Sequence, residues 1–322
     1  VTSLADLLSW PTRVYSVPMR TRFRGITVRE GLLLRGPAGW GEFSPFLDYG
    51  DRECVPWLAS AVESATEGWP SPVRDRVPVN CTVPVVDPAR AYELVRGSGC
   101  GTAKVKVADP GTALAADCDR VAAVRDALGP AGRIRVDANA AWDADTAVTA
   151  IRELDRAAGG LEYVEQPCPT LPELAEVRRR VDVRIAADES IRRAEDPLRV
   201  AVAGAADIAV IKVAPLGGVR RALEVAEACG LPCVVSSAVE TGVGMAAGLA
   251  LAGALPELDF ACGLGTVSLL TRDVVPEPFV PVDGWLPVPT LAPAPTAFDD
   301  CAADEDTATR WRDRLRRVAE LS

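Results

Sequence analysis

The chain has 322 residues, of which 48% are hydrophobic and 25% charged, and its net charge is −10. That length carries one large α/β barrel plus a smaller module, or two ordinary domains, and the composition is that of a folded enzyme. The acidic balance argues against a nucleic-acid or anionic-membrane partner, and the absence of histidine removes Ser–His and Cys–His nucleophiles, HExxH zinc sites and any histidine base.

Val1 to Trp10 carries Asp6 and no basic region, so a secretory signal is not evident. Strands are predicted at Arg13–Val17, Ile26–Arg35 and Trp40–Phe43, with a Gly36-Pro37-Ala38-Gly39 turn between the last two. A helix follows, spaced by Val55, Leu58, Ala59 and Val62 and ended by Gly68 and Pro70. Residues 1–75 therefore read as a small α+β unit. Its basic cluster of Arg20, Arg22 and Arg24 reads as a solvated face.

From Val77 a strand–helix rhythm begins, with strands predicted at Val79–Val83, Thr102–Val107, Ile134–Asp137, Tyr163–Glu165, Arg184–Asp188, Ile208–Lys212, Cys233–Ser236 and Asp259–Cys262. Alanine-rich helices such as Thr112–Leu128 fill the gaps. Eight such units over residues 76–270 fit a compact parallel barrel, although a doubly wound sheet has the same local signature. No window holds the ~18 unbroken apolar residues of a membrane span. The nine cysteines are scattered without a CxxC pair, and read as free thiols in a reducing cytoplasm. Residues 271–322 begin with a proline-rich return strap. They end in a charged helix, about Asp304–Leu321, that buries Trp311, Leu315 and Val318 against the N-terminal unit.

There are three lysines against thirty-two arginines. Arginine suffices for a surface cation but cannot carry a proton at neutral pH, so scarcity marks Lys104, Lys106 and Lys212. Alternation puts Lys104 and Lys106 on one strand face, where each is expected to lower the other's pKa. Asp137, Glu165 and Asp188 end three successive predicted strands. In a parallel barrel they converge, and their mutual repulsion calls for a hard divalent cation, Mg²⁺ rather than zinc. Lys212 ends the sixth predicted strand, across the barrel from the second. Such a site can bind a carboxylate on the metal and remove its α-proton with a lysine.

The set Lys104-x-Lys106, Asp137, Glu165-Gln166-Pro167, Asp188-Glu189-Ser190 and Lys212 resembles the enolase superfamily, in its muconate-lactonizing subgroup. Lysine-plus-magnesium chemistry is the general scheme of that superfamily. Gly39-Trp40-Gly41-Glu42 looks like its capping-domain strand. The resemblance implies a modified TIM barrel, (β/α)7β, with an α+β capping domain built from both chain ends. Within the subgroup the chain is most similar to o-succinylbenzoate synthases of the actinobacterial type. The likeness lies in Pro18–Gly25 (PMRTRFRG), Gly41–Phe46 (GEFSPF) and Ser236–Gly242 (SSAVETG). It implies syn-dehydration of 2-succinyl-6-hydroxy-2,4-cyclohexadiene-1-carboxylate in menaquinone synthesis. Lys106 would be the base, Lys212 the electrostatic partner and Lys104 the tuner of Lys106, with Mg²⁺, or Mn²⁺ in its place, on the three acids. Arg20, Asn139, Ser236, Ser237 and Gly263 are the expected substrate contacts. A small carboxylate is the expected partner, with neither nucleic acid nor membrane, and the assembly a monomer or small homo-oligomer.

Other readings compete. N-succinylamino acid racemases share the lysines and ligands. Gly263-Leu264-Gly265-Thr266 lacks the Asp-x-Asp of dipeptide epimerases. Lys212 alone would suit a Schiff-base aldolase, which leaves the three acids unexplained. Gly242-Val243-Gly244-Met245-Ala246-Ala247 matches a weak dinucleotide pattern, although the acid expected at the end of the following strand is missing. A barrel used only for binding is the bland alternative.

Overall fold

Alternating apolar residues at the start of the chain build an antiparallel sheet. The computed structural model describes residues 3–192 and 198–322, so the first two residues of the unit predicted for 1–75 lie outside the described residues. Strands β1 (Thr12–Phe23), β2 (Ile26–Arg35) and β3 (Trp40–Phe43) pair in that order. β1 runs well beyond the predicted Val17. Pro18 withholds a donor without ending the strand, and the pairing register instead shifts between Pro18 and Phe23. Helix α1 (Asp51–Thr66) packs on β3 so closely that a Cβ on Gly41 would lie 1.9 Å from the Ala61 carbonyl oxygen.

Beyond a short strand at Arg76–Pro78 come seven more, β4 (Cys81–Val83), β5 (Thr102–Lys106), β6 (Arg133–Asp137), β7 (Tyr163–Glu165), β8 (Ile185–Ala187), β9 (Ile208–Ile211) and β10 (Cys233–Val235). They form one parallel sheet in strict sequence order. A doubly wound sheet reverses its order at a switch point, and this sheet does not. It curls under the crossover helices α2 (Pro88–Ser98), α3 (Leu114–Leu128), α4 (Ala144–Ala158), α5 (Leu171–Arg180), α6 (Val219–Cys229) and α7 (Gly242–Ala254). Local sequence starts these helices: the Asp87 and Asp143 side chains cap α2 and α4, and Thr170 with Glu173 forms a capping box on α5.

The predicted strand Asp259–Cys262 is not a regular strand. Cys262 and Gly263 instead bond to both edges of the sheet. Cys262 N donates to Pro78 O at 2.7 Å and its carbonyl accepts from Asn80, while Gly263 N donates to Val235 O at 2.8 Å and its carbonyl accepts from Ser237. These bridges join the two edges of the curl. Gly263 is what lets them meet, because a Cβ there would stand 2.5 Å from Ser236 Oγ.

Inside the curl the strands carry two layers with a period of two. The lower layer is an apolar floor of Tyr163, Ala186, Ile208, Val210, Val234 and Phe260, with the buried Arg135 guanidinium 4.7 Å from the Tyr163 ring centre. Asp137, Glu165, Asp188, Lys212 and Ser236 each lie two residues beyond a floor position. They form the upper layer, at the C-terminal mouth.

The proline-rich strap returns over the surface and pairs Trp285–Pro287 antiparallel with Arg76–Pro78. Helix α8 (Glu305–Ala319) then buries Trp311, Leu315 and Val318 in one cluster with Val14, Leu32, Phe43, Trp57 and Leu58 of the N-terminal unit. Phe43 and Trp311 meet edge to face at 6.1 Å, worth about 1 kcal/mol beyond their area. Arg314 of α8 is buried and donates to the carbonyls of Pro45, Phe46 and Tyr49, which fixes the loop after β3.

Candidate active site

The upper layer is ionic and almost dry. Asp137, Glu165 and Asp188 are 0–1% exposed, and Lys104, Lys106 and Lys212 are 6–8% exposed. Lys106 Nζ bonds the Asp137 carboxylate and Asn139 Oδ1 at 2.7 Å, and lies 5.0 Å from the centre of the Phe23 ring of the N-terminal unit. Lys104 Nζ donates to both oxygens of Glu165, at 3.0 and 2.9 Å. Lys212 Nζ donates to Asp188 Oδ2 at 2.6 Å. Lys212 stands one residue past β9 in extended backbone, so the predicted sixth strand ends one residue early.

The two neighbouring lysines are tuned in opposite directions. Burial lowers the pKa of Lys106, and Lys104 lowers it further against the pull of Asp137. Burial also acts to lower Lys104, but Glu165 and Asp137 outweigh it and the net pKa is raised. The expectation that each depresses the other therefore holds for Lys106 alone, because Lys104 is clasped by a carboxylate. Asp137 is held below the ordinary carboxylate range: burial opposes this, and Lys106 and Lys104 overcome it.

Glu165 is pushed up to about 7 by burial and by Asp137, with Asp188 adding to the rise. Asp137 and Asp188 raise Glu165, Asp188 also works to raise Asp137 against its lysines, and every donor atom of the three buried acids is oxygen. That chemistry fits a hard divalent cation. As the side chains stand each acid is turned onto a lysine, and among the described residues no three acids converge into an ion cage.

Strained backbone holds these side chains. Asn139 (φ 46°), Ala140 (φ 63°) and Gln166 (φ 40°) are left-handed where the loops leave β6 and β7. Asn139 N donates to Asp137 Oδ1 at 3.0 Å, and Gln166 Oε1 accepts from the amides of Asp188 and Ser190. Gln166 thus fixes the neighbouring acid, a role visible in the sequence only as the residue after Glu165.

The cavity at the barrel mouth is lined by all three lysines, Asp137, Asn139, Ser236, Ser237 and Gly263. Phe23, Arg24 and Phe46 of the N-terminal unit close it from above. Arg20 is not brought there. It is exposed on β1, with its guanidinium on the Thr271 carbonyl at 3.4 Å. Arg24 takes the place facing the cavity, 4.4 Å from the centre of the Phe46 ring, and forms no ion pair among the described residues. The register shift in β1 and the left-handed turn at Arg24 (φ 49°) re-aim it.

The glycine-rich stretch at the start of α7 has no room for a dinucleotide. Gly242 N is bonded by both oxygens of Asp273 at 3.0 Å, and Gly244 N by Glu42 Oε2 at 2.9 Å. The amides that would hold a pyrophosphate already hold the protein's own carboxylates.

The family described as enolase C-terminal domain-like matches residues 87–293, and the one described as enolase N-terminal domain-like matches residues 14–65. The chain is 67% identical to the o-succinylbenzoate synthase of Thermobifida fusca (strain YX) over 276 residues, 86% of each chain. It is 55% identical to that of Mycolicibacterium smegmatis over 316 residues, covering 98% of this chain and 97% of the relative. Among solved structures, the L-Ala-D/L-Glu epimerase of Bacillus subtilis superposes with a TM-score of 0.75 at 25% identity, over 89% of this chain and 97% of that one. The muconate lactonizing enzyme of Pseudomonas fluorescens does so with 0.76 at 24% identity, over 94% and 98%, a likeness of fold.

Proposed function

The chain belongs to the o-succinylbenzoate synthase family of the enolase superfamily, and on that footing we propose how its own residues divide the work. The enzyme is a carbon–oxygen lyase: it removes water from 2-succinyl-6-hydroxy-2,4-cyclohexadiene-1-carboxylate to give o-succinylbenzoate for menaquinone synthesis. The placement of Lys106 Nζ in the cavity wall, on Asn139 Oδ1 and beneath the Phe23 ring, is the observation that carries the assignment of the base, and burial with Lys104 lowering its pKa agrees with it.

Lys106 Nζ, neutral, takes the proton from the ring carbon that bears the carboxylate. The C–H electron pair moves toward that carboxylate and then into the ring as the C–O bond to the hydroxyl breaks. Lys106 returns its proton to the departing oxygen on the same face, so water leaves and the amine is regenerated. Aromatisation drives the step. Lys212, ion-paired with Asp188, steadies the negative charge from the opposite side. Lys104, held by Glu165, stays charged and keeps Lys106 poised.

Superfamily members depend on a divalent metal, and Asp137, Glu165 and Asp188 would hold Mg²⁺ here, with Mn²⁺ as a substitute. Bound there, the ion supplies Lewis-acid stabilisation of the substrate carboxylate. The second carboxylate of the substrate, at the end of the succinyl arm, needs a cation of its own, and Arg24 faces the cavity without an acid partner among the described residues. Asn139, Ser236, Ser237 and Gly263 line the remaining wall.

Two lysines on one cavity also suit N-succinylamino acid racemisation, in which one amine removes the α-proton and the other returns it. No helix among the described residues is long and apolar enough to cross a membrane. We place the reaction in the cytoplasm, in a monomer or small homo-oligomer. The test is an assay of the cyclohexadiene dehydration beside the racemisation, with Mg²⁺ and after EDTA. Metal-dependent formation of o-succinylbenzoate is the expected result, and racemisation without dehydration would reverse the assignment.

A further inference from the structure

The segment that leaves β10, Ser236 to Val239, lines the cavity and then turns into α7. Val239 within it has φ 63°. A β-branched side chain in the left-handed region is unfavourable, and such a conformation persists only where its surroundings impose it. The cause is found across the interface, on β2.

Arg29 is 2% exposed. Its Nε donates to Val239 O at 2.9 Å and its Nη2 to Ala238 O at 3.2 Å, so one guanidinium holds the carbonyls on both sides of the strained residue. The same Nη2 donates to Ser44 O at 2.5 Å and to Ser44 Oγ at 3.1 Å, and Nη1 to Glu30 O at 3.0 Å. The guanidinium also lies 4.7 Å from the centre of the Phe46 ring, a second wall of the cavity. On the loop side, Ala238 N donates to Glu240 Oε2 at 2.7 Å and Val239 N to Ser237 Oγ at 3.3 Å. Those two bonds are local to the loop and would survive several backbone arrangements. The pair to Arg29 would not.

We infer that Arg29 is a positioning residue. From the N-terminal unit it holds the Ser236–Val239 wall in a strained conformation, and so sets how tightly the succinyl arm is bound. The inference rests on the reading that this cavity takes a succinyl-bearing carboxylate. Arg29 lies behind the wall and away from the metal ligands, so its loss acts on substrate binding more than on the chemical step. Without it Val239 relaxes toward negative φ and the wall moves. Glycine at 239 accepts the left-handed backbone freely, which makes the strain itself testable.

The experiment is steady-state dehydration kinetics on Arg29→Met, alone and combined with Val239→Gly, with the Mg²⁺ activation constant measured for each. Arg29→Met is expected to raise KM about tenfold or more, with kcat within about threefold and the Mg²⁺ constant unchanged. Adding Val239→Gly is expected to recover at least half of the lost kcat/KM on a logarithmic scale. If Arg29→Met does not fold, Arg29→Lys, which keeps the charge but loses the paired donors, takes its place with the same rescue. An unchanged KM in a folded variant, or no recovery with Val239→Gly, overturns the inference. A merely structural arginine would lower kcat and thermal stability together and would not be rescued by a glycine. A wild-type protein without dehydratase activity would instead sink the functional reading beneath it.

Discussion

The guanidinium of Arg24 lies 4.4 Å from the ring centre of Phe46, and both side chains face the barrel mouth from the N-terminal unit. The ring fixes the arginine without neutralising it, so the charge stays available to an anion. Arg24→Met is expected to raise KM for the dicarboxylate about a hundredfold, the scale of a lost charge-assisted pair, with kcat changed far less. Arg24→Lys should recover only part, because an ammonium cannot grip a carboxylate through two parallel bonds. Steady-state kinetics on both variants decides the matter, and a KM near wild type in Arg24→Met removes the residue from substrate binding.

Lys106 is the residue whose replacement should separate chemistry from structure. Lys106→Arg keeps a cation beside Asp137 but holds no neutral form near pH 7. The expected loss in turnover is about a thousandfold or more, the range of a general base. Circular dichroism and the melting temperature should stay close to wild type, and Mg²⁺ should still bind. Turnover within tenfold of wild type would leave Lys106 out of the proton transfer.

Much of this arrangement is legible in the residues themselves. The rarity of lysine marks three positions, and the acids at the ends of β6 and β7 and just past β8 share an inward face because strand side chains alternate. The first seven barrel strands follow from apolar runs between helices. Other features hide from sequence for definite reasons. Arg20, Arg22 and Arg24 would share a face on a flat strand, and only the register shift after Pro18 and the left-handed turn at Arg24 choose among them. The segment predicted as the strand Asp259–Cys262 meets both edges of the sheet only through single bridges at Cys262 and Gly263, a shortness that depends on how the curl closes and that local apolar residues do not report. The opposite tuning of Lys104 and Lys106 depends on the neighbouring strand, since Glu165 reaches one lysine and not the other.

Arg314 gives the C-terminal helix a stake in the cavity. It donates to the Pro45, Phe46 and Tyr49 carbonyls at 3.1, 2.9 and 2.8 Å from a buried position, and Phe46 carries Arg24. Arg314→Met leaves three carbonyls without this donor, a cost of about 2–4 kcal/mol. Urea denaturation should show that loss, and KM should rise with it as the Phe46 loop loosens. A stability loss with unchanged KM would mean that the loop keeps its place without α8.

Asp273 offers a test of pH dependence away from the metal ligands. Both its oxygens accept from Gly242 N at the start of α7, and burial pushes its carboxyl up to about 6 against the pull of the Gly242 and Val275 amides. The folded protein thus holds this proton more tightly than the unfolded chain, whose aspartate titrates near ~4. The stability from this group is complete below about pH 4, declines as pH rises, and is gone above about 6, a change of about 2–3 kcal/mol. Asp273→Asn keeps an acceptor for Gly242 and cannot titrate. Denaturation of both proteins at pH 4.5 and pH 7 should therefore show the wild type losing ground to the variant as pH increases. A difference that stays constant, or runs the other way, would mean that the amides and the helix N-terminus stabilise the ionised carboxylate more than burial opposes it.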